Sequence, residues 1–342
     1  MRERLRRAHN WLTRRRARQT RGRLYGAYGA LTDEGKVQLM ILVTGAAGFV
    51  GSRLIARLVE QDERPRALVR NVQAAMARLP ADGVEIVAGD TTRAETLPAA
   101  LEGVDTIIHC AFITADRKPG PGANYFDVNV GGTRNLVATA KNLGVTRIIE
   151  LSGITKEGAP DSPHSYMRTR LLADQAIKES GIAWAILGPS IMFGKGAPFF
   201  RGLADLIKSV PLVTPVVGSG DLRFQPVWVE DVVTCLLKMA HEPMPYDGKV
   251  TEVGGPEYYT YNEILDLLMT TLKKRRIKLP GPRPAARLAA SVMTAILARP
   301  PITPAATELF SFENTTTLDA IPYYFGFQPM SLRAWVAEHG VA

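Results

Sequence analysis

The stretch from Met40 to Glu60 constrains this chain more than any other. Met40 to Thr44 is an apolar run of strand length, followed at once by Gly45-Ala46-Ala47-Gly48-Phe49-Val50-Gly51 and then by helical spacing of apolar residues through Glu60. Strand, glycines and helix in that register predict the first crossover of a dinucleotide-binding sheet. Gly45 permits a tight turn, Gly48 lets the backbone approach a pyrophosphate, and Gly51 lets the helix pack closely on the strand. Phe49 and Val50 lie in the same segment, at the helix N-terminus that would face the phosphates.

The alternation continues downstream. Strands are expected at Arg66 to Val69, Val84 to Ala88, Val104 to His109, Arg147 to Leu151 and Ile182 to Leu187, with a long helix over residues 123 to 143. Short apolar strands alternating with helices predict an α/β fold: a doubly wound parallel sheet with its ligand at the carboxyl ends of the strands. The second strand ends in Arg70-Asn71, where an NAD-selective site carries an acid for the ribose 2′-hydroxyl. Arg70 would instead pair with a 2′-phosphate, which favours NADP(H) over NAD(H), with Arg53 as a candidate helper. A merely solvated Arg70 is the plainer alternative. Asp90, ending the third strand, is placed to accept from the adenine amine or to serve as a helix N-cap before Thr91. Ala111, after His109-Cys110, and Asn129, on the long helix, complete the expected crevice; His109 and Cys110 read as strand-end packing.

The candidate chemistry lies further on. Ser165-Tyr166-Met167-Arg168-Thr169-Arg170 opens a helix, so Tyr166 and Arg170 stand one turn apart on one face. GAAGFVG, Asp90, DVNVGGTRNLV and a tyrosine opening a helix after a serine-bearing strand together resemble the extended short-chain dehydrogenase/reductases. In that family a lysine four residues after the tyrosine, with an upstream Ser or Thr, completes the catalytic set. The resemblance implies Tyr166 as acid/base, but the lysine position holds Arg170, which keeps its charge and cannot relay a proton. The position matching the catalytic hydroxyl falls on Gly153, with Ser152 and Thr155 beside it. The nicotinamide-side loop begins at Pro189, where Gly188 and Phe193 replace the family's frequent Arg and Tyr.

The segment after the sixth strand is expected to be smaller, mostly helical and substrate-facing, with Arg223, Gln225 and Trp228 as candidate pocket residues. Leu288 to Leu297 is too short to span a bilayer and reads as a helix packed in the core, with docking on a partner or bilayer surface as the alternative. PSIMFGKGAPFF, LPGPRPAARLAA, RPPITPAATELF and YFGFQPMSLRAWV narrow the resemblance over residues 40 to 338 to the family of the nucleotide-binding accessory subunit of respiratory complex I and its bacterial relatives. That resemblance implies NADPH held for structural support.

Charge excludes one class of partner. The formal net charge is +9, but residues 1–39 hold ten arginines and Lys36 against Glu3, Asp33 and Glu34, which leaves the rest almost neutral. No nucleic-acid face is expected. The leader reads as a mobile basic tail: a dispensable extension ahead of Met40, an arm for acidic lipid or a partner subunit, or, less in keeping with its lack of serine, a transit peptide. Cys110 and Cys235 lack disulfide or metal-ligand spacing, and no apolar run is long enough to cross a bilayer. The expectation is a cytoplasmic protein, with a peripheral position on the inner membrane face as the alternative. The domains expected are a leader over 1–39, a nucleotide-binding core over 40–190 and an interleaved C-terminal region over 191–342. Three functions stay open: an NADP(H)-binding accessory or regulatory protein beside a respiratory or membrane complex, an active oxidoreductase or epimerase/dehydratase, and a redox sensor.

Overall fold

The computed structural model describes residues 30–31, 37–120, 122–155, 165–297, 300 and 302–340. The leader, apart from its last residues, lies outside them.

Seven parallel strands form the central sheet: β1 (Ile41–Thr44), β2 (Arg66–Val69), β3 (Glu85–Ala88), β4 (Thr106–His109), β5 (Arg147–Leu151), β6 (Ala183–Pro189) and, later in the chain, β8 (Val250–Val253). Their order is β8-β6-β5-β4-β1-β2-β3, so the first six follow the doubly wound order 3-2-1-4-5-6. The strand reversal between β1 and β4 opens a crevice at their carboxyl ends, where the glycine loop sits. Helices α1 (Gly51–Glu60), α2 (Gly132–Asn142) and α3 (Tyr166–Lys178) cover the sheet. The central strands are apolar on both faces because helices cover both, as a buried parallel sheet requires.

The long helix expected over 123–143 begins differently. Phe126–Gly131 is a π-helical turn that runs directly into α2. The wider turn carries Asn129 inward, where its side chain accepts from the Ile113 N–H at 2.9 Å and donates to Thr169 Oγ1 at 3.2 Å. Apolar periodicity cannot reveal such a widening, since it leaves the helix's buried stripe almost unchanged.

The C-terminal part is built from α4 (Pro198–Ser209), α5 (Val229–His241), α6 (Tyr261–Thr271), α7 (Arg283–Ile296) and α8 (Leu332–His339), with β7 (Val213–Val217) pairing in parallel with β9 (Ile277–Gly281). Its own core joins Phe193, Phe200, Phe224, Tyr261, Phe310 and Trp335. Helix α7 departs from the expectation of core packing. Only Ala290 is buried, while Leu288, Val292 and Ile296 are exposed. Its inward residues are small, so it rests shallowly on the body beneath it.

No helix among the described residues is long and apolar enough to cross a membrane. No cluster of three or more His, Cys, Asp or Glu side chains that could hold a metal occurs among them.

Candidate dinucleotide and substrate crevice

The glycine loop is shaped by backbone contacts. A Cβ on Gly45 would lie 2.6 Å from the Cys110 carbonyl oxygen, and Gly45 has φ +64°. One on Gly48 would lie 2.9 Å, and one on Gly51 2.3 Å, from the Gly45 carbonyl oxygen. The loop therefore stays bare at the N-terminus of α1, a surface that fits a pyrophosphate.

Beneath the loop, a hydrogen-bond chain ties β1 to β4. Thr44 Oγ1 accepts from the N–H groups of Cys110 and Ala111, both at 3.2 Å, and lies 2.6 Å from His109 Nδ1. His109 Nε2 lies 3.0 Å from Thr133 Oγ1, whose hydroxyl donates to the Asn129 carbonyl. Thr44 is thus left to donate to Nδ1, and Nε2 carries the ring proton. Burial, and then the charge of Arg170, pull His109 down to about 3, so the ring stays neutral.

The ring's folded pKa is depressed below the ordinary 6.5. Its contribution to stability is therefore complete above pH 6.5 and falls, by about 1.4 kcal/mol per unit, as the pH drops through the window down to about 3. His109→Asn is expected to lose about 1–2 kcal/mol near neutrality from the broken chain. Its unfolding free energy should decline less steeply under acid than that of the parent, and parallel slopes in denaturant titrations would refute this assignment.

A cavity of about 250 Å³ runs from the loop into the C-terminal part. Gly45, Gly48, Phe49, Val50, Gly51, Ser152, Thr155, Tyr166, Arg170 and Pro189 all line it. Arg70, Asp90, Ala111 and Asn129 do not. Arg70 is exposed at the end of β2, while Asp90 Oδ1 accepts from the Thr92 N–H at 2.9 Å and its hydroxyl at 2.8 Å. Asp90 thus closes a turn at Thr91–Thr92 and not a helix N-terminus, since the next helical turn is Ala94–Thr96, and this use leaves Oδ2 for other partners. Asn129 is spent on Ile113 and Thr169.

Arg53 does not stand ready for a 2′-phosphate. Its guanidinium donates to the carbonyls of Phe49 and Lys195 and pairs with Glu230 at 3.1 Å. Arg78, which nothing local in the sequence marks, instead donates to the Ala47 carbonyl at 3.2 Å and places an exposed cation beside the loop. Arg223, Gln225 and Trp228 do not line the cavity. Arg223 pairs with Glu313 at 2.7 Å, and Gln225 donates to the Gly255 carbonyl at 2.7 Å, buried.

At the chemical end, Tyr166 and Arg170 are both buried, with the Arg170 guanidinium 5.9 Å from the Tyr166 ring centre and 4.5 Å from that of Phe112. Arg170 Nη2 donates to the Leu151 carbonyl at 3.4 Å. Ser152 donates to Asp174 Oδ1 at 2.8 Å. Behind Asp174 lies Glu150, fully buried, with no N–H or hydroxyl donor reaching either oxygen. Burial, and next the Asp174 charge, hold Glu150 well above the usual carboxylate range.

Beyond Tyr166 the cavity wall turns apolar: Phe112, Met167, Phe199, Leu203, Leu309 and Phe310 belong to it. The sequence could not show this chamber, because its walls come from segments far apart in the chain. Asp116 and Arg117 are the charges at its rim.

A family model described as NAD(P)H-binding matches residues 45–197. The NAD(P)H azoreductase of Xenophilus azovorans is 38% identical over 236 residues, which cover 66% of this chain and 71% of that protein. A mitochondrial NADH dehydrogenase [ubiquinone] 1 alpha subcomplex subunit 9 from Arabidopsis thaliana is 23% identical over 71% of this chain and 61% of that one. Across several curated relatives the chain spans 51% to 71% of their length. Among solved structures, the dTDP-glucose 4,6-dehydratase of Streptomyces venezuelae with NAD bound superposes with a TM-score of 0.64 at 20% identity, covering 88% of this chain and 98% of that one; this likeness is one of fold. With the glycine cradle, the strand order and the azoreductase match in agreement, the chain belongs to the NAD(P)H-binding, atypical short-chain dehydrogenase/reductase family.

Proposed function

We propose that the crevice holds NADP(H) as a resident group and that the protein serves as an accessory or regulatory component, related in role to the complex I accessory subunit. The observation that carries this reading is the commitment of Ser152. Its hydroxyl proton goes to Asp174, and Gly153 stands where the family places the catalytic hydroxyl, so the partner that would polarise a carbonyl beside Tyr166 is missing from its usual position. Arg170 replaces the proton-relaying lysine with a fixed charge held over Phe112. Such a site is built to bind and orient more than to turn over. The Arabidopsis relative, named as a complex I subunit, supports the same role.

The apolar chamber favours a second reading, reduction of an apolar acceptor. When bound, NADPH supplies a hydride. Tyr166 would then donate the proton to the acceptor's reduced atom, Arg170 would hold positive charge beneath the ring, and the Phe112, Phe199 and Phe310 walls would exclude water. Among the described residues the chamber has no cation cluster, which disfavours sugar diphosphates, whatever the fold neighbours take.

The two readings separate on one preparation. Nucleotide released by denaturing the purified full chain is expected to be NADP(H), and reduced-nicotinamide absorbance is expected to persist on adding quinone, azo and ketone acceptors. Turnover that Tyr166→Phe removes would establish the second reading instead. Arg70→Glu places an acid where the 2′-phosphate is expected, so it should weaken NADPH by at least about tenfold while sparing NADH. Equal losses for both would assign the 2′-phosphate contact elsewhere, with Arg78 the next candidate.

A further inference from the structure

Helix α7 carries apolar residues on both sides. Ala286 packs on the C-terminal core, Ala290 is buried, and the helix rests on the Ala306–Phe310 turn. Leu288, Val292 and Ile296, spaced i, i+4, i+8, form an outward stripe and are 68%, 51% and 74% exposed. An exposed aliphatic stripe on a helix already packed on its other side marks a surface that is covered by something else. Strand β9, which leads into it, adds exposed Ile277 and Leu279, and Ile277 is hydrogen-bonded to the carbonyl of exposed Leu212.

The charge around this stripe indicates what covers it. Between Asp266 and Glu308 the sequence contains no acid, yet it contains Lys273, Lys274, Arg275, Arg276, Lys278, Arg283 and Arg287. Lys278 is paired with Asp266 and Arg276 caps the Val210 carbonyl; Lys273, Lys274, Arg275, Arg283 and Arg287 are exposed. Lys118 adds a further cation by donating to the Thr294 carbonyl. Large aliphatic side chains flanked by an excess of exposed cations, with Asp266 held by Lys278 and Glu308 buried, are the chemistry of an interfacial helix on anionic lipid. A protein partner's groove would more often be matched by charges of both signs. The helix spans about 21 Å at 1.5 Å per residue, short of the roughly 30 Å hydrocarbon core, so it can lie in the interface but not cross it.

We propose that α7, with β9, docks the protein on the surface of an anionic bilayer, with Leu288, Val292 and Ile296 entering the acyl boundary and the exposed cations meeting the headgroups. The docking is independent of whether the dinucleotide turns over. Since the inward side of α7 packs on the Ala306–Phe310 turn, and Ala306, Leu309 and Phe310 also line the apolar chamber, the docked helix is one turn of chain away from the chamber.

The test uses the full chain and vesicles of phosphatidylcholine, with or without phosphatidylglycerol. The arginine-rich leader can itself attract anionic lipid, so the informative variant keeps the leader and changes the stripe: Leu288→Glu, Val292→Glu and Ile296→Glu together. These positions are exposed, so the fold and the bound nucleotide should be unaltered. Sedimentation with the mixed vesicles is expected to weaken by about tenfold or more in the triple variant, and hydrogen exchange over residues 283–296 is expected to slow in the parent when those vesicles are added. Unchanged sedimentation, or unprotected 283–296 amides, overturns the proposal. A parent that dimerises by light scattering, and a triple variant that does not, would assign the face to a second copy of the chain and overturn it equally.

Discussion

Gly51→Ala is expected to empty the crevice of dinucleotide. The added methyl would sit 2.3 Å from the Gly45 carbonyl oxygen and 2.9 Å from Ala46 Cα, both backbone atoms in a turn that cannot yield. The Gly45 carbonyl also accepts the Gly48 N–H at 2.8 Å, so any shift that relieves the clash breaks the loop itself. Pushing α1 off β1 should cost about 3 kcal/mol of stability, seen as a fall in Tm of roughly 6 °C. If the same energy is lost from the bound state, affinity drops by about a hundredfold. Gly281→Ala serves as the control, because a Cβ there meets nothing within 4 Å. A Gly51→Ala protein that copurifies with a full complement of nucleotide at unchanged Tm would contradict the assignment of this loop as the phosphate cradle.

Much of the frame was legible because its signals are local. Arg66–Val69 and Arg147–Leu151 are found at the bounds their apolar runs predict. Residues whose meaning depends on distant partners were harder to read. Arg53 is held by Glu230 and the Lys195 carbonyl, both far away in sequence, so its local context alone marks it as available for a phosphate. Arg223 and Gln225 were claimed by Glu313 and Gly255 in the same way. Helix α7 posed a different problem: with apolar residues on both sides, its sequence could not say which side the body covers. Glu150 was readable in principle, as a carboxyl in an otherwise apolar strand run, but its neighbour Asp174 comes from α3.

Arg170 is the residue on which the buried charges depend, and its removal should be felt through them. It is 6% exposed and stacked on Phe112, and its charge lowers the carboxyls of both Glu150 and Asp174 against the larger effect of burial. Arg170→Ala is therefore expected to cost about 3–5 kcal/mol near neutrality, the usual penalty for leaving a buried charge without its partner. The pH dependence separates this from lost packing. Both carboxyls have folded pKa values raised above their unfolded ones, so the stability they allow is complete below the ordinary carboxylate range and is lost as pH rises through the folded values. Without Arg170 those values rise further, so the deficit is smallest at the acid end, below the ordinary carboxylate range, and grows toward the alkaline end as the pH rises through the folded values. Adding Glu150→Gln, which removes the group that most resists ionising, should restore part of the loss at the alkaline end and little at the acid end. A deficit that is flat across that range, and indifferent to Glu150→Gln, would mean that Arg170 acts through its stack on Phe112 alone.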